Sequence, residues 1–132
     1  NFNPEVNKID YLKNNKNQIK CSLDTLDNFT KKNKKIINSR IDLVKIDTEG
    51  FELEVLKGAE KTIKKFKPKY IQIEYNWHHL FKNINLYYFS RYLKDYDTYK
   101  ILPFSKRLLK INTERPEHNY FNYSNIVFIR KK

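Results

Sequence analysis

Cysteine is nearly absent from this 132-residue chain, which holds a single one, Cys21. One cysteine excludes an intrachain disulfide. Because no CxxC pair or His/Cys cluster at zinc spacing accompanies it, no structural zinc site is predicted. Cys21 lies in a short apolar run and is predicted to be a small buried hydrophobic residue. This cysteine content fits a reducing compartment, so a cytoplasmic location is predicted.

Long apolar runs are also missing. No stretch approaches the roughly 20 apolar residues that a membrane span needs, so no transmembrane segment is predicted. Hydrophobic residues still make up 39% of the chain and aromatic residues 15%, which is too much for a disordered polymer. Length and composition therefore predict one soluble globular domain.

Negative charge is the scarcer sign: 15 Asp and Glu residues stand against 27 Lys and Arg residues, for a net charge of +12. Such an excess is typical of proteins that bind nucleic acid or anionic membranes. Residues 1–40 hold nine basic and four acidic side chains, residues 41–75 seven of each, and residues 76–132 eleven and four. Because the excess lies at both ends and Lys outnumbers Arg 22 to 5, general compositional bias is the favoured explanation. A polyanion-binding surface is the alternative.

The middle of the chain predicts a strand–helix–strand unit. Ile41–Asp47 is a short, mostly aliphatic run typical of a strand buried on both faces. Phe51–Phe66 places its apolar residues on one helical face, with acids first and lysines last, and Pro68 ends it. Tyr70–Tyr75 predicts a second strand. A helix that joins two strands of one sheet predicts parallel pairing between them.

Weaker signals flank this unit. Residues 1–24 predict a polar lead-in with a short strand over Ile19–Leu23, and Thr25 and Asp27 are candidate caps of a short helix to about Lys35. Downstream, one helix and two strands are predicted, the strands joined by a polar loop and paired antiparallel at the sheet edge: Leu86–Leu93, Tyr99–Leu102 and Asn125–Arg130.

Two acidic side chains are predicted at the carboxyl ends of the two central strands. Asp47 ends the first strand and Glu74 lies near the end of the second, so both are expected at one rim of a parallel sheet, where ligands bind. From Asp42 to Glu60 the local charge is −4 inside a +12 chain. Two carboxylates about 5 Å apart repel by roughly 3 kcal/mol at an effective dielectric of about 20. A cation, a proton or a basic side chain is therefore expected between them.

The residues after the second strand extend this candidate site. Asn76 and the two carboxylates offer the hard oxygen atoms that Mg²⁺ accepts, and either His78 or His79 could act as a general base near neutral pH. Trp77 could stack on a sugar or another acceptor. The alternatives are that the acids bond backbone amides of the turn, that the histidines are ordinary loop residues, and that the aromatic residues pack a helix onto the sheet.

Four sequence words follow one another along the chain. They are TLDNF from Thr25, IDLVKIDTEGFELEVLKGAEKTI from Ile41, KPKYIQIEYN from Lys67 and NIVFIR from Asn125. Their order and spacing, and the KIDTEG and LKGA words in particular, resemble the FkbM family of S-adenosylmethionine-dependent methyltransferases. The resemblance covers residues 25–130.

The resemblance implies a Rossmann-like class I methyltransferase sheet, mostly parallel with an antiparallel C-terminal edge. It also implies S-adenosylmethionine as methyl donor and a hydroxyl acceptor on a sugar, a lipid or a secondary metabolite. By position, Asp47 and Glu49 belong to the family's KIDxEG motif. Asp47 is thus expected to bind or deprotonate the incoming hydroxyl, directly or through a divalent metal. Adding the reasoning from the residues, the predicted catalytic residues are Asp47, Glu74 and His78, and the predicted substrate-binding residues are Glu49, Asn76, Trp77 and His79.

One feature of the family pattern is missing. The family's cofactor site needs a glycine-rich turn after the first strand, yet the only glycines here are Gly50 and Gly58, both downstream of that region. The chain is therefore expected to be a single partial domain, with residues 25–132 as the acceptor-side half and the cofactor-binding half absent. No cofactor-binding residue or metal ligand set is assigned, and the fragment alone is expected to be inactive.

Two functions of different classes stay open. The first is the C-terminal part of an O-methyltransferase that acts on a small-molecule or glycan acceptor. The second is a catalytically inactive remnant that binds RNA or another polyanion. No basic groove with interleaved aromatic residues can be read from the sequence, which argues against nucleic acid as the partner. The oligomeric state is not predicted.

Overall fold

The computed structural model describes residues 21–34, 40–119 and 121–132. They form a five-stranded mixed sheet with helices, an α/β arrangement as predicted. The helices are α1 Leu26–Lys32, α2 Glu52–Lys57, α3 Glu60–Phe66, α4 His78–Phe81 and α5 Leu86–Tyr92, with a 3₁₀ turn at Pro116–His118. The strands are β1 Leu43–Ile46, β2 Tyr70–Tyr75, β3 Tyr96–Leu102, β4 Arg107–Lys110 and β5 Ser124–Arg130. Within the described part of the chain, no helix combines the length and the apolar character that a membrane crossing requires.

Strands β1 and β2 pair in parallel, which confirms the prediction from the strand–helix–strand pattern. Their register ends with Ile46 opposite Ile73, both buried in the core. The next residues along the two strands, Asp47 and Glu74, therefore reach the same rim of the sheet side by side. This register is the part of the fold that positions the candidate site.

The other pairings are antiparallel, so the prediction of a mostly parallel sheet is wrong for the described residues. The strand order is β1-β2-β5-β3-β4, and β5 runs antiparallel to both β2 and β3, as β4 does to β3. The predicted antiparallel pairing of the last two strands is confirmed for β3 and β5, but β5 lies inside the sheet. A helical crossover joins the neighbouring strands β1 and β2, whereas α4 and α5 lead from β2 to β3 and leave room for β5 between these two strands. The short turn between β3 and β4 permits antiparallel pairing alone.

Strand β4 forms the sheet edge in a segment predicted as polar loop. All four of its residues are exposed, and Arg107 and Lys110 carry charge. Short, charged and exposed strands are typical of sheet edges, because they discourage pairing with other chains. Such a strand lacks the apolar alternation that would distinguish it from a loop.

The helix predicted over Phe51–Phe66 is divided into α2 and α3 at Gly58 and Ala59. Gly58 packs against the start of α1: a Cβ built on it would lie 3.3 Å from the Cβ of Thr25. The Asp27 amide also donates to the Gly58 carbonyl at 3.0 Å. The break thus coincides with a contact to a distant segment, which the helical period of the sequence does not reveal.

Two residues of one short segment cap two helices. Thr25 accepts from the Asn28 amide and caps α1, as predicted. The Asp27 carboxylate instead accepts from the amides of Lys61 and Thr62 and from the Thr62 hydroxyl, at 2.7–3.0 Å. Burial alone would raise the pKa of Asp27, but these hydrogen bonds outweigh it and hold the pKa below its usual value. Asp27 therefore joins α1 to the first turn of α3.

A single hydrophobic cluster contains residues from the sheet and from α2, α3 and α5. Its most completely buried members are Leu56, Ile71, Ile73, Tyr75, Phe89 and Phe128. The aromatic residue Phe89, from the tyrosine-rich helix α5, packs edge-on against Tyr75 at 6.4 Å between ring centroids. Helix packing, the alternative for the aromatic residues, therefore applies to Phe89, whereas Tyr87 and Tyr88 of the same helix are exposed.

Three expectations concern the first residues of the chain. Residues 1–20 lie outside the described ones, and residues 21–24 have no regular secondary structure, so the described part of the strand predicted over Ile19–Leu23 is absent. Cys21 is exposed, not buried as predicted, since no strand forms there whose face could cover it. Helix α1 ends at Lys32, before the predicted Lys35.

Candidate active site

Three carboxylates meet at the rim where β1 and β2 end. Asp47 and Glu49 follow β1, and Glu74 is the penultimate residue of β2. One carboxylate oxygen atom of each lies within 4.8 Å of the others. Glu74 is buried, with 6% of its surface exposed, whereas Asp47 and Glu49 are exposed. The structure thus brings together Asp47 and Glu74 as the sequence predicts. We call Asp47, Glu49 and Glu74 the acidic cluster.

The turn that carries Glu49 is strained. Glu49 has φ 51° and Gly50 has φ 96°, so two successive residues occupy the left-handed half of the backbone map. A Cβ built on Gly50 would lie 2.7 Å from the Cβ of His78, in the loop after β2. Strained backbone of this kind persists only when its surroundings hold it, and it is concentrated at functional sites. Gly50 therefore lets the two loops of the site touch.

Gly50→Ala is expected to destabilise the protein by about 2–4 kcal/mol, because it adds both backbone strain and an overlap with His78. Gly58→Ala is the matched control: Gly58 has φ −73° and a built Cβ would meet its nearest atom at 3.2 Å, so a loss below about 1 kcal/mol is expected. Urea unfolding of both variants measures the difference. Equal losses would contradict the assigned role of Gly50.

Protein donors already contact all three carboxylates. Lys45 Nζ donates to Asp47 Oδ2 at 2.8 Å, and Asn76 Nδ2 lies 3.3 Å from both Glu49 Oε2 and Glu74 Oε2. Tyr123, just before β5, donates its hydroxyl to Glu74 Oε1. These donors relieve part of the repulsion expected between the carboxylates.

The acidic cluster perturbs its two outer donors. The hydrogen bond to Glu74 and the nearby negative charge raise the pKa of the Tyr123 hydroxyl. The hydrogen bond to Asp47 likewise raises the pKa of the Lys45 ammonium. Both groups therefore keep their protons near neutral pH and act as donors to the carboxylates. Tyr123 and Lys45 are not among the predicted site residues. Tyr123 belongs to no motif that marks it in the sequence, whereas Lys45 is the first residue of the KIDTEG word and could have been found from that position.

His78 lies beside the acidic cluster. Its Nδ1 atom is 3.1 Å from Asn76 Oδ1 and 3.2 Å from Glu49 Oε2, and its amide donates to Asn76 Oδ1 at 3.0 Å. Both neighbours of Nδ1 are oxygen acceptors, so they favour the tautomer that carries its proton on Nδ1. The imidazole is half-buried, and the exposed Trp77 ring lies against it at 4.1 Å between centroids. The structure thus places His78, Asn76 and Trp77 at the predicted site.

His79 is buried in the core, whereas its predicted role in substrate binding requires an accessible side chain. Its side chain is 0% exposed, so it cannot contact a substrate in this conformation. Its Nε2 atom faces Glu52 Oε2 at 2.9 Å, and Glu52 is also 0% exposed. The assignment of His79 to substrate binding is therefore corrected. Helix α4 is only about one turn long, and so short an element has no periodicity in sequence that shows which of two adjacent histidines turns inward.

Glu52 is buried beneath the site and connects the turn at Thr48 with the segment at residues 76–79. Its Oε1 atom accepts from the amide of Thr48 at 2.8 Å and from the Thr48 hydroxyl at 3.2 Å. Its other oxygen faces His79, whose Nδ1 atom lies 3.2 Å from the Asn76 carbonyl. Burial alone would raise the pKa of Glu52, but the hydrogen bonds from His79 and Thr48 lower it to about 2. Glu52 looks in sequence like one more acid in the first turn of a helix, and this buried role has no sequence signal.

The model of the methyltransferase FkbM domain matches residues 3–109, about four fifths of the chain. The chain belongs to the FkbM methyltransferase family. The matched range contains the acidic cluster, His78 and Trp77, whereas Tyr123 and the NIVFIR strand lie beyond it. No curated protein and no solved structure matches the chain.

FkbM methyltransferases as a family use S-adenosylmethionine, but the described residues do not fit a complete site for it. A glycine-lined turn admits a ligand only where open space adjoins the missing Cβ. At Gly50 that space is filled by His78 and at Gly58 by Thr25. Among the described residues, then, neither glycine provides a cofactor cradle.

The acidic cluster also has the composition of a divalent-cation site. Carboxylate oxygens are preferred ligands of Mg²⁺ and Ca²⁺, and three of them lie within 4.8 Å of one another. However, Lys45, Asn76 and Tyr123 already satisfy part of their hydrogen-bonding capacity. The three carboxylates could therefore bind a cation, but the donors from Lys45, Asn76 and Tyr123 also account for their proximity.

Proposed function

We propose that this FkbM family member forms the acceptor-side part of an O-methyltransferase domain, in which the acidic cluster binds the hydroxyl of the acceptor. One observation carries the proposal: adjacent parallel strands deliver three carboxylates to one rim, in a chain of a methyltransferase family. A carboxylate accepts a charge-assisted hydrogen bond from a hydroxyl and so orients its oxygen.

Asp47 is proposed as the residue that orients the acceptor hydroxyl. Its carboxylate is exposed, and among the described residues its hydrogen-bond partner is Lys45, which occupies Oδ2. That contact leaves Oδ1 for the acceptor. Glu74 is less suited, because it is buried and bonded to Asn76 and Tyr123. We therefore assign Glu74 to positioning Tyr123 and Asn76.

His78 is proposed as the general base. With its Nδ1 proton held by Asn76 and Glu49, the Nε2 lone pair is the basic position of the ring. Removal of the hydroxyl proton by Nε2 leaves a more nucleophilic oxygen. S-adenosylmethionine, if held by the rest of the complete domain, would supply the methyl group. Asp47 is a weaker candidate for the base, because one oxygen of its exposed carboxylate already accepts a hydrogen bond from Lys45.

Exposed aromatic residues flank the acidic cluster and suit an acceptor with both apolar and hydroxyl surface. Trp77 is 55% exposed and Tyr123 is 70% exposed. A sugar ring, a lipid or a secondary metabolite would each present apolar groups to these rings and hydroxyls to the carboxylates. We propose this class of acceptor.

We further propose that the complete domain has a Rossmann-like sheet in which additional strands pair with β1. In the described residues β1 ends the sheet on one side, and Leu43 on this strand is exposed. A bare edge with an exposed apolar residue is a site for strand addition. The cofactor-binding half, which is predicted to be absent from these 132 residues, would then extend the sheet past β1 in the complete domain. The cytoplasmic location also stays a prediction.

Methyl transfer by the full-length gene product tests the proposal. S-adenosylmethionine labelled in the methyl group is incubated with a panel of sugars, hydroxy lipids and polyketide alcohols. The label is expected in a methyl ether formed on a hydroxyl of the acceptor. Activity is expected to persist in EDTA, because protein donors already serve the carboxylates. Activity that EDTA abolishes and Mg²⁺ restores would assign the acidic cluster to a metal ion instead. Absence of transfer to every acceptor, with RNA bound tightly, would favour the inactive polyanion-binding remnant.

A further inference from the structure

A cavity of about 740 Å³ lies at the end of the sheet opposite the acidic cluster. It is bounded by the end of α3, the turn between α5 and β3, and the last residues of β5. Strand β2 starts near this end and finishes at the acidic cluster, so roughly 20 Å of strand separates the two. The cavity is therefore independent of the proposed active site.

The lining of this cavity is rich in positive charge. Six of its twelve lining residues are Lys or Arg, against 27 of 132 residues in the chain, so the lysine-rich composition alone does not account for it. The six cations are Lys64, Lys67, Lys94, Arg130, Lys131 and Lys132, and the two acids are Glu60 and Asp95. We call this site the basic cavity.

Local contacts explain only part of that charge. Lys64 forms a salt bridge within α3, and Arg130 and Lys131 donate to backbone carbonyls at the ends of α3 and α5, where a helix favours cations. Lys67 and Lys94 form no salt bridge with any residue in 21–34, 40–119 or 121–132. Several cations thus surround one cavity with little negative charge to balance them.

The floor of the basic cavity is apolar. Ile63, Leu93 and Tyr96 are buried and line it, and the Tyr96 hydroxyl is bonded to the Pro68 carbonyl. A volume of about 740 Å³ falls in the range of roughly 300–1,000 Å³ typical of small-molecule sites. A concave site of this size admits a small molecule, whereas a membrane or a duplex presents a surface too broad to enter it.

We propose that the basic cavity binds a small phosphate-bearing molecule. Lys67, Lys94 and Arg130 contact the phosphate oxygens, and the apolar floor contacts the organic part of the ligand. Phosphate fits because its several acceptor oxygens can receive hydrogen bonds from more than one cation at once. The bound anion balances the cluster of positive charge, and this balance favours binding.

Titration of the 132-residue chain with inorganic pyrophosphate, followed by amide chemical shifts in ¹H–¹⁵N spectra, tests the proposal without any methyl transfer. Shifts are expected at Lys67, Lys94 and Arg130 and not at Asp47. The double variant Lys67→Gln/Lys94→Gln is expected to weaken binding about tenfold or more, since two charge-assisted contacts are lost.

The control variant, Lys57→Gln/Lys106→Gln, removes the same charge from exposed positions outside the cavity and is expected to change binding by less than about twofold. Equal weakening by both variants, or shifts spread over the whole lysine-rich surface, would show diffuse charge attraction and overturn the proposal. So would absence of pyrophosphate binding. Binding to phosphatidylserine vesicles or RNA that depends on Lys67 and Lys94, without binding of pyrophosphate, would replace the small molecule by that partner.

Discussion

Asp47→Asn is expected to lower kcat/KM for methyl transfer by about 100-fold or more, because the acceptor hydroxyl loses a charge-assisted hydrogen bond that holds it in line. The free energy of unfolding is expected to change by less than about 1 kcal/mol, since Asp47 is exposed and its contact is a surface pair with Lys45. Initial-rate kinetics of the full-length gene product and urea unfolding measure the two quantities.

Asp42→Asn is the matched control for this experiment. Asp42 is an exposed aspartate just before β1, paired with Arg40, and lies at the other end of the strand. It is expected to leave kcat/KM within about twofold of the wild type. Wild-type turnover by Asp47→Asn, or an equal loss in both variants, would remove Asp47 from acceptor binding.

His78→Gln separates acceptor binding from proton removal. Loss of the general base is expected to lower kcat by about 10²–10⁴-fold and to leave the KM for the acceptor nearly unchanged. Asp47→Asn should also raise the KM for the acceptor, because it removes a contact that holds the hydroxyl. If kcat is unchanged in His78→Gln and falls in Asp47→Asn, Asp47 and not His78 is the base.

Glu52→Gln is expected to destabilise the protein by about 2–3 kcal/mol at neutral pH, because the Thr48 amide and the buried His79 ring lose the charged carboxylate that they contact. The folded-state pKa of Glu52, about 2, lies below the usual value of 4.5. Glu52 thus contributes stability above pH 4.5, and this contribution is lost as the pH falls from about 4.5 to about 2. The stability gap between wild type and variant should therefore narrow over that range.

Urea unfolding at pH 7 and pH 3 measures this gap. Asp27, whose pKa is also lowered, titrates equally in both proteins and so cancels in the difference. Glu114→Gln, at an exposed position, is the control and is expected to change stability by less than about 0.5 kcal/mol at either pH. A gap that is constant between pH 7 and pH 3 would contradict the assigned charge state of Glu52.

Glu52 also explains why the active-site loops are rigid enough to hold strained backbone. It fixes Thr48 on one side and, through His79, the loop at Asn76 on the other. Its loss should therefore release both loops, and the amides of Thr48 and His78 should show increased hydrogen exchange in Glu52→Gln. The same pair that stabilises the core thereby positions the residues proposed to bind the acceptor.

The position of the two strand-end carboxylates was predictable from the sequence, because it depends only on how a helix joins two neighbouring parallel strands. Parallel strands joined by a helix present their carboxyl ends at one rim, so Asp47 and Glu74 could be placed together although 27 positions separate them. The roles of His79 and Tyr123 could not be placed in this way. Each depends on which side of a loop faces a distant element, and a single sequence carries no record of that direction.

The sequence by itself determined the strand–helix–strand unit from β1 to β2, without the break between α2 and α3, and also the acidic rim and the family. These follow from short-range periodicity and from contiguous words such as KIDTEG. The tertiary structure alone decided the position of β5 between β2 and β3, the burial of Glu52 against His79 and the basic cavity. These features join residues distant in sequence, and their free energy depends on packing and desolvation in the assembled chain, which no local pattern encodes.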